Sequence, residues 1–83
     1  MTQVIRSPEQ LGAALRRKRK QSRLSQGDLG GRVLLRQATI SKLEDGSAGT
    51  KLGTLFDVLT ALNLELVIRP RDKADPRSIE DIF

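Results

Sequence analysis

In the run Arg36-Gln37-Ala38-Thr39-Ile40-Ser41-Lys42-Leu43, five polar side chains are interleaved with three apolar ones, a composition suited to meeting a row of hydrogen-bonding groups. Gln37 carries a donor and an acceptor on one amide and can pair bidentately with adenine. Arg36 or Lys42 can reach guanine or a phosphate, and Ala38 or the Thr39 methyl can touch the methyl of thymine. Each good base contact discriminates by roughly 1–3 kcal/mol. Catalysis lacks its usual parts. The chain has no cysteine and no histidine, so it has neither a thiolate metal site nor the commonest general base and zinc ligand. No Ser, Lys or Asp has an evident base beside it, and Asp28, Glu44 and Asp45 read as caps and helix surface. The expectation is a binding protein, not an enzyme, with no cofactor and no metal.

For these side chains to share a face, Arg36 to Asp45 must be helical, with Ile40 and Leu43 inward and Gln37, Ala38, Thr39, Ser41 and Lys42 outside. Gly46 ends this helix. Upstream, Ser25-Gln26-Gly27-Asp28 has the form of a capping box and starts a short helix that buries Leu29 and Val33. Gly30 and Gly31 weaken that helix unless backbone packs closely there, which we expect at Gly30. Ser7-Pro8-Glu9-Gln10 opens the first helix, with Ser7 as cap, Pro8 at the first position and Gln10 completing a box. Leu11, Ala14 and Leu15 form its inner stripe, and Arg16 to Lys20 crowd its end, where cations complement the helix dipole. Thr50 is expected to cap a fourth helix whose stripe is Leu52, Leu55, Phe56, Leu59 and Leu62. Last, Leu64 to Arg69 reads as one β-strand stopped by Pro70.

A chain of 83 residues holds one small domain, and an aromatic content of 2% leaves the core to aliphatic side chains at helical spacing. No apolar run reaches the roughly 18 residues of a membrane span, and the first residues lack a secretory signal, so a cytoplasmic location is expected. The net charge of +5 is unevenly spread. Residues 1–46 carry ten Lys or Arg against four acids (+6), and residues 47–83 carry five against six (−1). Positive charge gathered in one half is the electrostatic footprint of a nucleic-acid partner.

Two short helices joined by a tight turn, the second beginning Arg-Gln-Ala-Thr, form a helix-turn-helix that presents side chains to the major groove of duplex DNA. Gln26 and Ser25 sit at the start of the first of these helices, where backbone amides and the dipole favour a phosphate. Local capping explains Ser25 equally well. Arg17 and Lys20 are further phosphate candidates, against the alternative of a solvated helix end. A lone strand needs a partner: residues 3–6, or the same strand of a second chain. We expect the second, with Leu64, Leu66, Val67 and Ile68 at a homodimer interface.

At Leu24-Ser25-Gln26 through Leu43-Glu44-Asp45-Gly46 the chain resembles the lambda-repressor/Cro (Xre) class of helix-turn-helix proteins. The resemblance spans roughly residues 7–62. More narrowly, the Ser7 to Leu11 and Arg36 to Ser41 segments, the strand, and a charged tail with a terminal aromatic resemble the HipB antitoxins, which pair with HipA-type kinase toxins. This resemblance implies a mostly α-helical domain of four to five helices with one C-terminal strand, and a dimeric repressor that binds a palindromic operator and holds its toxin inactive. By position, the DNA-facing set is Gln26, Arg36, Gln37, Ala38, Thr39, Ser41 and Lys42, and Ile82 and Phe83 are candidates for toxin contact. The chain departs from the class at the turn, where Leu34 stands in place of the usual glycine. The expected organisation is an N-terminal arm (1–6), a DNA-binding domain (7–62), a dimerisation strand (63–70) and a flexible tail (71–83). A free-standing phage-type repressor and a protein-interaction module are the alternative readings.

Overall fold

The computed structural model describes residues 3–71. Ser7 turns the chain into α1 (Pro8–Gln21), its hydroxyl accepting the Gln10 amide at 3.1 Å. Gln10 Oε1 in turn accepts from the Arg6 amide at 2.6 Å, one residue before the cap. Helix α2 (Gln26–Val33) starts with a complete capping box, in which Ser25 Oγ accepts the Asp28 amide and Asp28 Oδ2 accepts the Ser25 amide, both at 2.9 Å. Helices α3 (Gln37–Glu44) and α4 (Leu52–Ala61) begin at Arg36 and Lys51 without a side-chain cap. Thr50 is therefore not the cap expected from the sequence. Its hydroxyl donates to the Ser47 carbonyl at 3.2 Å and closes the loop before α4.

All four helices stop by one device. A residue with positive φ follows, and the next amide reaches back to a carbonyl five residues earlier, which satisfies an otherwise orphaned acceptor. The pairs are Leu24 to Arg19, Leu35 to Gly30, Ser47 to Lys42 and Leu64 to Leu59, at 2.8–3.2 Å. The left-handed residues are Arg23, Leu34, Gly46 and Asn63. Gly46 and Asn63 are types that favour this conformation, whereas Leu34 takes it (φ 58°, ψ 39°) with its side chain 92% exposed. The turn of the helix-turn-helix is thus made in the standard left-handed way by a residue that pays for it in backbone strain.

Leu15, Leu29, Ile40, Leu43, Val58, Leu59 and Leu62 are buried together, with Leu11, Leu24, Val33, Leu35, Leu55, Ala61 and Leu64 packed around them. Helix α3 rests on α1 and α2, and α4 closes the core against α2. Each fully buried aliphatic side chain contributes about 1.5–3 kcal/mol. The turn presses on Gly30 as expected, since a Cβ there would lie 2.5 Å from the Leu35 carbonyl oxygen, whereas Gly31 faces open space. Helix α4 is rotated relative to the stripe read from sequence. Val58 takes an inner position, while Leu52 and Phe56 are 65% and 45% exposed. Packing on α2 through Val58, Leu59 and Leu62 turns the Leu52–Phe56 edge outward.

Residues 64–71 carry no regular secondary structure and, like residues 3–6, form no ladder among the described residues. Leu64 is half-buried and packs against the chain's own core. Leu66, Val67 and Ile68 are exposed. The tail residues Ile82 and Phe83 lie outside the described residues.

Candidate nucleic-acid interface

The burial of Ile40, 0% exposed, and Leu43, 4% exposed, sets the rotation of α3. With 100° between successive residues, anchoring these two sends Ala38 and Lys42 away from the core. Both are exposed, as are Gln37 in the first turn and Arg36 at the cap; Thr39 and Ser41 are half-buried on the flanks. The six residues read from sequence on this element therefore form one surface, with Gln37, Ala38 and Lys42 its most projecting members.

At the start of α2 the capping box occupies the Ser25 and Asp28 amides. This leaves the Gln26 and Gly27 amides as first-turn donors for an acceptor outside the helix. Ser25 holds Asp28 below the ordinary carboxylate value, because its backbone amide and then its hydroxyl bond the charged form. Gln26 is half-buried, and its Nε2 donates to Glu44 Oε1 at 3.2 Å.

Glu44 itself is buried, which corrects its reading as helix surface. Its Oε2 accepts from Arg19 Nε at 2.6 Å and its Oε1 from Arg19 Nη2 at 3.0 Å, while Arg19 Nη1 donates to the Leu24 carbonyl at 2.7 Å. Hydrogen bonding to Glu44 raises the Arg19 pKa further, against an opposing effect of burial. One ion pair thus joins the end of α1, the entry to α2 and the last turn of α3. Arg19 lay in sequence within a run of five cations, and the signal that could have found it is spacing: it continues the inner stripe four residues after Leu15 and eight after Leu11.

Arg17 and Lys20 are both exposed on α1. Arg17 shares a shallow concavity with Gln3, Val4, Ile5, Gln10 and Ala13, on the side of α1 turned away from Arg19. A second groove of about 280 Å³, between the N-terminal arm and the start of α4, includes Ile5, Pro8, Leu11, Leu52 and Leu55. No ionisable residue lines it, so it offers nothing for acid–base chemistry. Among the described residues no cluster of three or more His, Cys, Asp or Glu could hold a metal ion, and no helix is long and apolar enough to cross a membrane.

The sequence matches a family model described as a helix-turn-helix domain over residues 10–70. It is 36% identical over 78 residues to the antitoxin HipB of Escherichia coli K12, an alignment covering 94% of this chain and 89% of that protein. The fold is similar to chains in two solved structures, a HipA-HipB-O2-O3 complex and a HipB-O4 20mer complex. Each aligns with a TM-score of 0.80 at 34% identity, covering 86% of this chain and 100% of the other.

Proposed function

Because the chain belongs to the HipB antitoxin family of helix-turn-helix proteins, we propose that it is a repressor that reads a palindromic operator through α3 and neutralises a HipA-like kinase toxin. The observation that carries the DNA reading is the division of α3. Ile40 and Leu43 are locked in the core while Ala38 and Lys42 project from the opposite side and Gln37 is exposed in the first turn. In this reading Gln37 and Arg36 contact base edges, Ala38 and Thr39 meet thymine methyls, and Ser41 and Lys42 serve base or backbone. Gln26, Ser25 and the first-turn amides of α2 take a phosphate and set the register.

Two recognition helices must come from two chains, spaced about 34 Å apart or a multiple of it. Exposed apolar side chains at Leu66, Val67 and Ile68, and separately at Leu52 and Phe56 on α4, support such a homodimer, since apolar surface left open to water marks interfaces. Pairing of residues 64–69 across the dimer would supply the strand with its missing partner. The HipA-containing complex among the similar structures supports the toxin partner, with Ile82 and Phe83 as contact candidates. A cytoplasmic site of action in a bacterium follows from this role.

The test is a footprint of the purified protein on the promoter upstream of its own reading frame, with and without the product of the adjacent gene. Protection of two symmetric half-sites is expected. Replacing Arg36 and Gln37 by alanine should abolish it. Equal binding of the double variant, or no sequence preference, would sink the reading.

A further inference from the structure

We propose that Glu44 is a positioning residue for DNA binding: its buried carboxylate fixes the Gln26 amide so that the second N–H of Nε2 meets a phosphate while α3 occupies the groove. The inference rests on the reading of Gln26 as a phosphate contact, and it identifies what aims that contact.

Arg19 already engages both oxygens of Glu44, through Nε at 2.6 Å and Nη2 at 3.0 Å, so the ion pair is complete without Gln26. Gln26 is a third, additional partner at 3.2 Å, and of the three it alone is half-buried instead of buried. A carboxylate has about four acceptor positions, so this third bond displaces neither of the others. An amide nitrogen carries two hydrogens. Once one is spent on Glu44, the plane of the amide is set and the other points along a defined direction.

Position along the chain gives this bond its consequence. Glu44 ends α3, the base-reading helix, and Gln26 is the first residue of α2, whose amides face the same acceptor. A contact between them ties the phosphate anchor directly to the reading element, 18 residues apart in sequence. Arg19 adds a second tie by holding the Leu24 carbonyl just before the Ser25 cap. Arg19 also cancels the Glu44 charge, without which a carboxylate behind the anchor would repel the phosphate it helps to hold. An unrestrained glutamine would have to give up its rotamer freedom on binding, whereas this one has already done so.

The experiment is a double-mutant cycle on the full chain, using Gln26→Ala, Glu44→Gln and the pair. Affinity is measured for a duplex carrying the promoter region upstream of the reading frame with both protected half-sites, and folding is checked by helicity and thermal unfolding. Gln26→Ala should weaken binding of the dimer roughly ten- to a hundredfold, since one hydrogen bond is lost from each of the two protomers. Glu44→Gln keeps the shape but replaces an acceptor with a donor, and should weaken binding similarly in the native background. In the Gln26→Ala background its effect should shrink to less than about twofold, because contacting residues are non-additive. Additive losses would overturn the positioning role while leaving the phosphate anchor standing. No loss for Gln26→Ala would instead remove the anchor itself, and with it this inference. If Glu44→Gln does not fold, the native protein decides by NMR: of the two Gln26 Nε2 protons, the one bonded to Glu44 should exchange with solvent more slowly than a free glutamine amide proton, and the other should shift when duplex is added. Two Nε2 protons that both exchange at the rate of a free glutamine amide, with neither shifting on addition of duplex, would refute the arrangement.

Discussion

Replacing Leu34 by glycine should stabilise the protein although it deletes a large apolar side chain. Leu34 sits at φ 58°, ψ 39°, and its side chain is 92% exposed, so little burial is lost. A side chain with a Cβ costs roughly 1–2 kcal/mol in this region, and glycine removes that cost. Against this, glycine makes the unfolded chain more flexible, a penalty of about 0.4–1 kcal/mol. The balance favours Leu34→Gly by about 0.5–1 kcal/mol, which for a domain of this size raises Tm by about 2–8 °C. Leu34→Ala is the control, because it keeps the Cβ and the strain while removing the same exposed atoms. It should lie within about 0.5 kcal/mol of the native protein. Thermal unfolding followed by circular dichroism, at one protomer concentration so that dimerisation does not shift Tm, measures both. Destabilisation by Leu34→Gly, or equal effects of the two variants, would refute the strain argument.

Neighbouring glycines in α2 should respond oppositely to alanine. Gly30→Ala places a Cβ 2.5 Å from the Leu35 carbonyl oxygen and should cost about 1–3 kcal/mol, whereas Gly31→Ala meets open space and should gain up to about 1 kcal/mol; chemical denaturation separates them. The α2 capping box predicts an acid-sensitive increment of stability. The folded Asp28 pKa lies below its ordinary 3.8, so its contribution is full above that value and is lost as pH falls through the lower, folded pKa. The stability difference between the native protein and Asp28→Asn, measured by urea unfolding, should therefore shrink between neutral pH and the acid side of 3.8; a constant difference would contradict the box. Charging the exposed apolar segment with Val67→Asp and Ile68→Asp should yield a folded monomer in sedimentation experiments, with operator affinity falling because only one half-site is held. An unchanged dimer would place the interface elsewhere.

Local features were readable from the residues alone because their causes lie within a few positions. Ser7 and Ser25 cap amides three residues away, Gly46 stops α3, and the spacing of Leu29, Ile40 and Leu43 marks the face that leaves water. The outward set Gln37, Ala38 and Lys42 followed from the same spacing, since burying one side of a helix assigns the other. Capping signals were weaker where no side chain bonds the helix start. Thr50 had the right type for α4, but its hydroxyl found the Ser47 carbonyl and the helix began one residue later.

Packing between distant segments decided the rest. Arg19 and Glu44 are 25 residues apart, and neither differs in type from its charged neighbours. They meet because α1 and α3 cross where the chain's turns bring them, and desolvation there requires that a buried charge be paired. The rotation of α4, which buries Val58 and exposes Phe56, likewise depends on the surface α2 presents. So does the left-handed state of Leu34, which a free leucine avoids. Here the Leu35 amide bonds the Gly30 carbonyl and Ile40 is held in the core, and together these force the turn between them. Periodicity and capping in the sequence specify which helices form and which side of each is apolar. How those sides meet, and which charges close the contact, is a property of the assembled core, because only there does the removal of water require that Arg19 be paired and bring Glu44 to it.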